Sequence, residues 1–99
     1  MKKFQFSLQK LMDFREQELD RQKNTLSMLQ ADLRRIQEAR EVLLDKVDEQ
    51  SEQLERVCRL GSSASDIAMR KRYIVMLQQE IHLKEQQALQ KQQEIEQQL

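Results

Sequence analysis

The chain has 99 residues, 34% of them charged, with 17 basic and 17 acidic side chains and a net charge of zero. That length allows one domain at most, and a balanced charge leaves no broad cationic footprint for nucleic acid. There is no proline and one glycine, so the turns that an all-β or α/β domain needs cannot be built; 38% hydrophobic residues suit a narrow apolar seam between few helices rather than a thick core.

The first element opens with "FQFSLQKLMDFREQELD", residues 4–20, which holds all three phenylalanines, Phe4, Phe6 and Phe14. From Leu8 a seam advances alternately by four and three residues: Leu8, Met12, Arg15, Leu19, Gln22, Leu26, Leu29, Leu33, Ile36, Arg40, Leu43, Val47, Gln50, Leu54 and Val57. Most of these are apolar and the register never slips. A 3.5-residue repeat held this long is the pattern of a coiled coil, because an isolated surface helix drifts toward 3.6. The pattern predicts a first helix over about 5–60, its seam running about 80 Å at 1.5 Å per residue.

The break falls at "LGSSASD", residues 60–66. Gly61 takes the left-handed conformation cheaply and is expected just past the helix end, with Arg56 and Arg59 complementing the dipole in the last turn. Ser63 is expected as the next N-cap, with Asp66 three residues on as a partial capping box. The turn, predicted over 61–65, is too short to link two domains.

The second element is predicted over about 66–99. Its seam runs Ile67, Arg70, Ile74, Leu77, Ile81, Lys84, Ala88, Lys91, Ile95 and Gln98, weaker than the first. A short polar turn between two seams brings them back side by side, so the expected fold is all-α, two long helices in an antiparallel coiled-coil hairpin and a single unit over 1–99. Opposed residues should have numbers summing to roughly 128, placing Leu54 by Ile74, Val47 by Ile81, Leu33 by Ile95 and Arg40 by the small Ala88. Acid-first pairs Glu52–Arg56, Glu55–Arg59, Asp66–Arg70 and Glu80–Lys84 should support the exposed faces. In this register Leu99 arrives near Leu29, so residues 1–28 have no partner and Leu8, Met12, Leu19 and Leu26 are expected to face water. The end, "EQQALQKQQEIEQQL", lacks a helix stop, so the second arm is expected to lack its C-terminal part or to await another chain.

No catalytic constellation emerges, and the expectation is a binding or structural protein, not an enzyme, with no cofactor and no metal. His82 lies mid-helix without a cysteine or second histidine in helical reach and is expected to be solvent-exposed. Cys58 is the only cysteine, so no internal disulfide can form; it is expected to be a small semi-buried residue. "RKR" at 70–72 is the densest basic cluster and is expected to be a solvated helix face. No apolar run approaches a membrane span or a secretory core, so a cytosolic protein is expected. The seam alone suits a generic dimerising spacer as well as a rigid stalk between larger partners. A basic amphipathic membrane helix is disfavoured, because the polar faces carry both signs.

The opening stretch narrows this. Phe4, Phe6, Leu8, Leu11, Phe14, Arg15, Glu16 and, one residue early, Glu18 resemble the N-terminal signature of the FliJ family, small coiled-coil proteins of the flagellar type III export apparatus. "GSSASDIAMRKRYIVMLQQEI" is similar to that family's Gly/Ser connection followed by an aromatic, a leucine and an isoleucine, here Tyr73, Leu77 and Ile81. Family members usually continue beyond the point where this chain stops. The resemblance implies a chaperone-like, non-enzymatic stalk, similar in fold to the central stalk of rotary ATPases. It implies three partners: the flagellar export ATPase, the export-gate membrane protein and export chaperones. It places the protein in the cytoplasm, peripherally at the inner face of the cell membrane at the flagellar base, serving motility. A stalk of a virulence type III secretion system is the nearest alternative. Phe4, Phe6 and Phe14 are then either packing anchors or a tip that meets the pore of the ATPase ring. The resemblance points to Tyr73, Leu77 and Leu43 for the gate. Leu43 and Leu77 are also seam positions, and a buried residue cannot serve as an exposed contact; Tyr73 is off the seam.

Overall fold

The computed structural model describes the backbone of residues 2–99 and the side chains of residue 5 and residues 7–99. Two helices account for nearly all of it: α1, Lys2–Arg59, and α2, Ala64–Gln98. They pack against each other along one seam as an antiparallel hairpin, with overall extents of 90 × 16 × 15 Å. The expected fold class is the observed one. At 1.5 Å per residue, the 58 residues of α1 span about 87 Å, so this one helix sets the length of the molecule.

The turn is built by two caps. Gly61 has φ +77°, the left-handed region that glycine enters without steric cost. Its N–H donates to the carbonyl of Cys58 at 3.3 Å, and the N–H of Ser62 donates to the carbonyl of Val57 at 3.3 Å. That crossed pair is a Schellman motif, and it satisfies carbonyls the helix end would otherwise leave open. Two residues later the Ser63 Oγ accepts the N–H of Asp66 at 3.2 Å, and Asp66 also sits in the first turn of α2, where a carboxylate complements the dipole. α2 starts at Ala64, directly behind its cap and two residues earlier than the pattern suggested.

Burial follows the two seams. On α1, every seam position from Leu26 to Val57 is at least half-buried; on α2, the same holds from Ile67 to Ile95. Leu43, Leu77 and Ile81 form the buried cluster, with Leu44 and Val47 packed against it. Val47 thereby meets the cluster containing Ile81, as the expected register requires, and Leu54, Ile74, Leu33 and Ile95 are all half-buried. The side chains of Arg40 and Glu85 close an ion pair across the seam at 3.0 Å, while Arg40 and Ala88 line the same shallow groove. The small residue leaves room for the long arginine stem, whose charged end reaches water.

Two helices form only one layer of contact, and no side chain among those described is fully enclosed. The accessible surface is 8341 Å², against about 6,000 Å² for a globular protein of this mass. Part of the excess lies on α1, which is 58 residues long beside the 35 of α2 and so overhangs it by about 35 Å. Leu8, Met12 and Leu19 are exposed there, as expected. Leu26 differs: it is half-buried.

Of the four expected intrahelical pairs, Glu55–Arg59 and Asp66–Arg70 are closed, the latter at 3.4 Å. Glu52–Arg56 and Glu80–Lys84 are open. Lys84 is a half-buried seam residue, so its stem follows the interface rather than the outer face that carries Glu80. Asp32–Arg35, Glu18–Arg21 and Lys91–Glu94 close with the three-residue spacing instead.

Candidate functional site

A molecule of this shape offers surfaces rather than a cavity, and the candidate residues sort by where the seam puts them. Leu43 and Leu77 are 8% and 3% exposed and lie in the seam cluster. Their side chains pack between the two helices. Tyr73 is 39% exposed and borders a shallow groove with Gln50, Asp66, Met69 and Arg70. Its ring stands beside the seam with one edge in water, the arrangement in which an amphipathic aromatic can bury against a second protein. Phe14 is 61% exposed on the overhang of α1, where Leu11 and Met12 are also exposed. Phe4 and Phe6 lie outside the described side chains. The six candidates therefore do not form one site. Phe14 belongs to the free end of α1, Tyr73 to the turn-proximal half of α2, and the two leucines to the interior.

The polar groups are arranged as solvated helix faces. The His82 ring nitrogen Nε2 lies 3.2 Å from the side-chain amide of Gln86, one turn on. Cys58 is exposed rather than semi-buried, because it falls one position past Val57 and off the seam. Among the described residues no three histidine, cysteine, aspartate or glutamate side chains come together in a way that could hold a metal ion. No helix of the described residues is long and apolar enough to cross a membrane.

One surface was missed by reading the seams alone. Met69, Val75, Met76 and Leu83 are all exposed, on the sides of α2 turned away from its buried Leu77 and Ile81, whereas the exposed Leu89 borders the groove shared with Gln37 and Arg40 of α1. Of these, Val75 and Leu83 frame a shallow depression with Gln78, Gln79 and His82. The signal was present in the sequence, since Met69, Met76 and Leu83 recur every seven residues beside the seam that α1 covers.

The sequence model of the flagellar FliJ protein family matches residues 4–99 of the chain. No curated protein matches it, and no solved structure does. The match covers both helices, the turn and the aromatic opening stretch together, and the chain belongs to the FliJ family, components of the flagellar export apparatus.

Proposed function

We propose that this chain is a rigid, non-enzymatic stalk that couples the flagellar export ATPase ring to the export gate and also receives export chaperones. The observation that carries the reading is the shape: a two-helix rod 90 Å long and 16 × 15 Å across, in a chain of the FliJ family. A rod of that section has the proportions of a shaft seated in a hexameric ring, and its continuous helix can transmit a displacement along its length. The single-helix overhang, with Phe14 and the exposed Leu8, Leu11 and Met12, is the end that meets the ring. Phe4 and Phe6 belong to the same stretch of sequence. The turn-proximal half, with Tyr73 exposed beside the seam, is the end that meets the gate. The protein works in the cytoplasm, next to the inner face of the membrane at the flagellar base.

The test is titration against purified components of the same system. The ATPase, the cytosolic domain of the gate protein and the chaperones are added separately to the full chain. Binding of the hexameric ATPase, with faster ATP turnover on addition of the hairpin, is the expected result. Tyr73→Ala should weaken gate binding at least tenfold, about 1.4 kcal/mol, with an unchanged melting temperature. If none of the components binds, or an unrelated antiparallel coiled coil does the same, the stalk reading is wrong. If only the melting temperature falls, Tyr73 is a packing residue.

A further inference from the structure

We infer that the outer face of α2 is the contact face of a reversible homodimer, in which two copies of the chain pack α2 against α2, antiparallel, about a two-fold axis at Gln79.

The two outward faces of the rod are unlike. Seven-residue steps from the seam fix the outward positions of each helix. On α1 they carry Glu38, Glu41, Asp45, Asp48, Glu52 and Glu55, all exposed, as a solvated face should. On α2, from Ala68 to Gln93, they carry no carboxylate and one cation, Arg72. Glu80 and Glu85 sit instead on the flanks beside the seam, and Glu85 reaches across it to Arg40. Met69, Val75, Met76 and Leu83 stand on this nearly uncharged face, between 45% and 61% exposed. A helix apolar on two sides is ordinarily one that lies between two neighbours.

The face also has the relief of a helix contact. Its shallow depression is framed by Val75, Gln78, Gln79 and His82, with Leu83 beside them. The spacing of those four, i, i+3, i+4 and i+7, is that of the hole which receives one side chain from a facing helix.

Self-complementarity selects a second copy as the occupant. Antiparallel helices oppose residues whose numbers have a constant sum, and a two-fold axis at Gln79 sets that sum at 158. Val75 of each copy then lies level with Leu83 of the other, Met76 with His82, and Met69 with Leu89 at the rim of the face. Each exposed apolar side chain of the face thus meets another, or the imidazole ring. Gln79 meets its own counterpart over the depression, and Arg72 lies level with Gln86, whose amide oxygen accepts hydrogen bonds. Lys71 and Glu85 are fourteen residues apart and share one flank, so each Lys71 lies beside Glu85 of the other copy, twice by symmetry. On the other flank Glu80 approaches Glu80 of the second copy, which opposes pairing.

The size of the face sets the strength. From Met69 to Leu89 it is about 30 Å long on a helix about 10 Å wide. Each copy buries no more than about 500 Å², against about 800 Å² per partner in a standard interface, so the pair is weak, with a Kd on the order of 100 µM. Pairing covers the least polar surface of the concentrated free chain and gives it up on dilution.

Sedimentation velocity of the full-length chain from about 5 to 500 µM tests this. Melting temperatures are recorded first; the substituted positions are exposed, so the hairpin should stay folded. The sedimentation coefficient should rise with concentration. Met76→Glu and Leu83→Glu should each weaken pairing at least tenfold, and Asp45→Asn on the outer face of α1 not at all. Lys71→Glu should weaken it about threefold at low salt, Lys71→Glu combined with Glu85→Lys should restore it, and Glu80→Gln should tighten it. Cysteine cross-linking in a Cys58→Ser background reads the register. Gln79→Cys should give a disulfide-linked dimer on mild oxidation. Gln86→Cys, on the same face and also exposed, should not, because its counterpart lies about 21 Å away along the axis. A chain that stays monomeric at every concentration overturns the inference. So does pairing that Leu8→Glu abolishes and Leu83→Glu leaves intact, which would place the contact on the overhang of α1. Cross-linking of Gln86→Cys as readily as Gln79→Cys overturns the two-fold axis. Capture of a monomeric chain by phosphatidylglycerol vesicles, lost in Leu83→Glu, overturns the inference by naming a membrane surface as the occupant.

Discussion

Leu77→Ala tests whether the seam, and not helix propensity, holds the hairpin together. Leu77 is the most buried residue described, 3% exposed, and packs with Leu43 and Ile81. Truncating a leucine in a core costs about 2–5 kcal/mol, through lost transfer energy and the cavity left behind. A one-layer interface can close partly over the gap or admit water, so the expected loss sits at the low end, about 2–3 kcal/mol. For a chain of this length that is a fall in Tm of about 10–20 °C. Leu83→Ala is the matched control: the same chemical change six residues on, at a side chain already 55% exposed. Alanine is the better helix former there, so stability should change by no more than about 0.5 kcal/mol. Ellipticity at 222 nm on heating and in urea reads both variants. Equal losses would refute the assignment of inner and outer faces to α2. Binding supplies a second readout. Measured well below its Tm, folded Leu77→Ala should keep the affinity of the parent for the gate domain. A loss of affinity at constant helicity would show that Leu77 reaches a partner despite its burial.

The turn and the Arg40–Glu85 ion pair across the seam give three further expectations. Gly61→Ala forces a side chain into φ +77°, where a Cβ would meet no neighbouring atom, so the cost is purely conformational, about 1–2 kcal/mol; a variant as stable as the parent in a urea melt would mean the turn had rearranged. Ser63→Ala removes the Oγ that accepts from Asp66 and should cost about 1 kcal/mol, readable as a lower urea midpoint at unchanged slope. A double-mutant cycle on Arg40→Ala and Glu85→Ala should return a coupling below about 1 kcal/mol that shrinks in 1 M salt, since both side chains are more than a third exposed; a larger, salt-independent value would mean the pair is desolvated.

Both helices, their antiparallel return and the chemistry of the turn were legible from the order of residues alone. The reason is that each rests on local rules: a 3.5-residue apolar period is itself the geometry of supercoiling, and only glycine enters the left-handed region at Gly61 without strain. The family, too, was legible: the resemblance was read from Phe4–Glu18 and Tyr73–Ile81, and the family model matches residues 4–99. What the tertiary structure decided is which apolar residues are spent. Leu77 and Leu83 are the same residue type on the same helix, and composition cannot rank them; the packing of α1 against one side buries the first and leaves the second in water. The same packing buried Leu43 and Leu77 in the seam, left Tyr73 at its edge, and brought Glu85 onto Arg40, 45 positions away. It also left Leu26 half-buried, where the paired seams alone put it in water. Register is a sum over many weak contacts between two chains of side chains, so it can be read from sequence to within a turn, and only the packed pair fixes which turn.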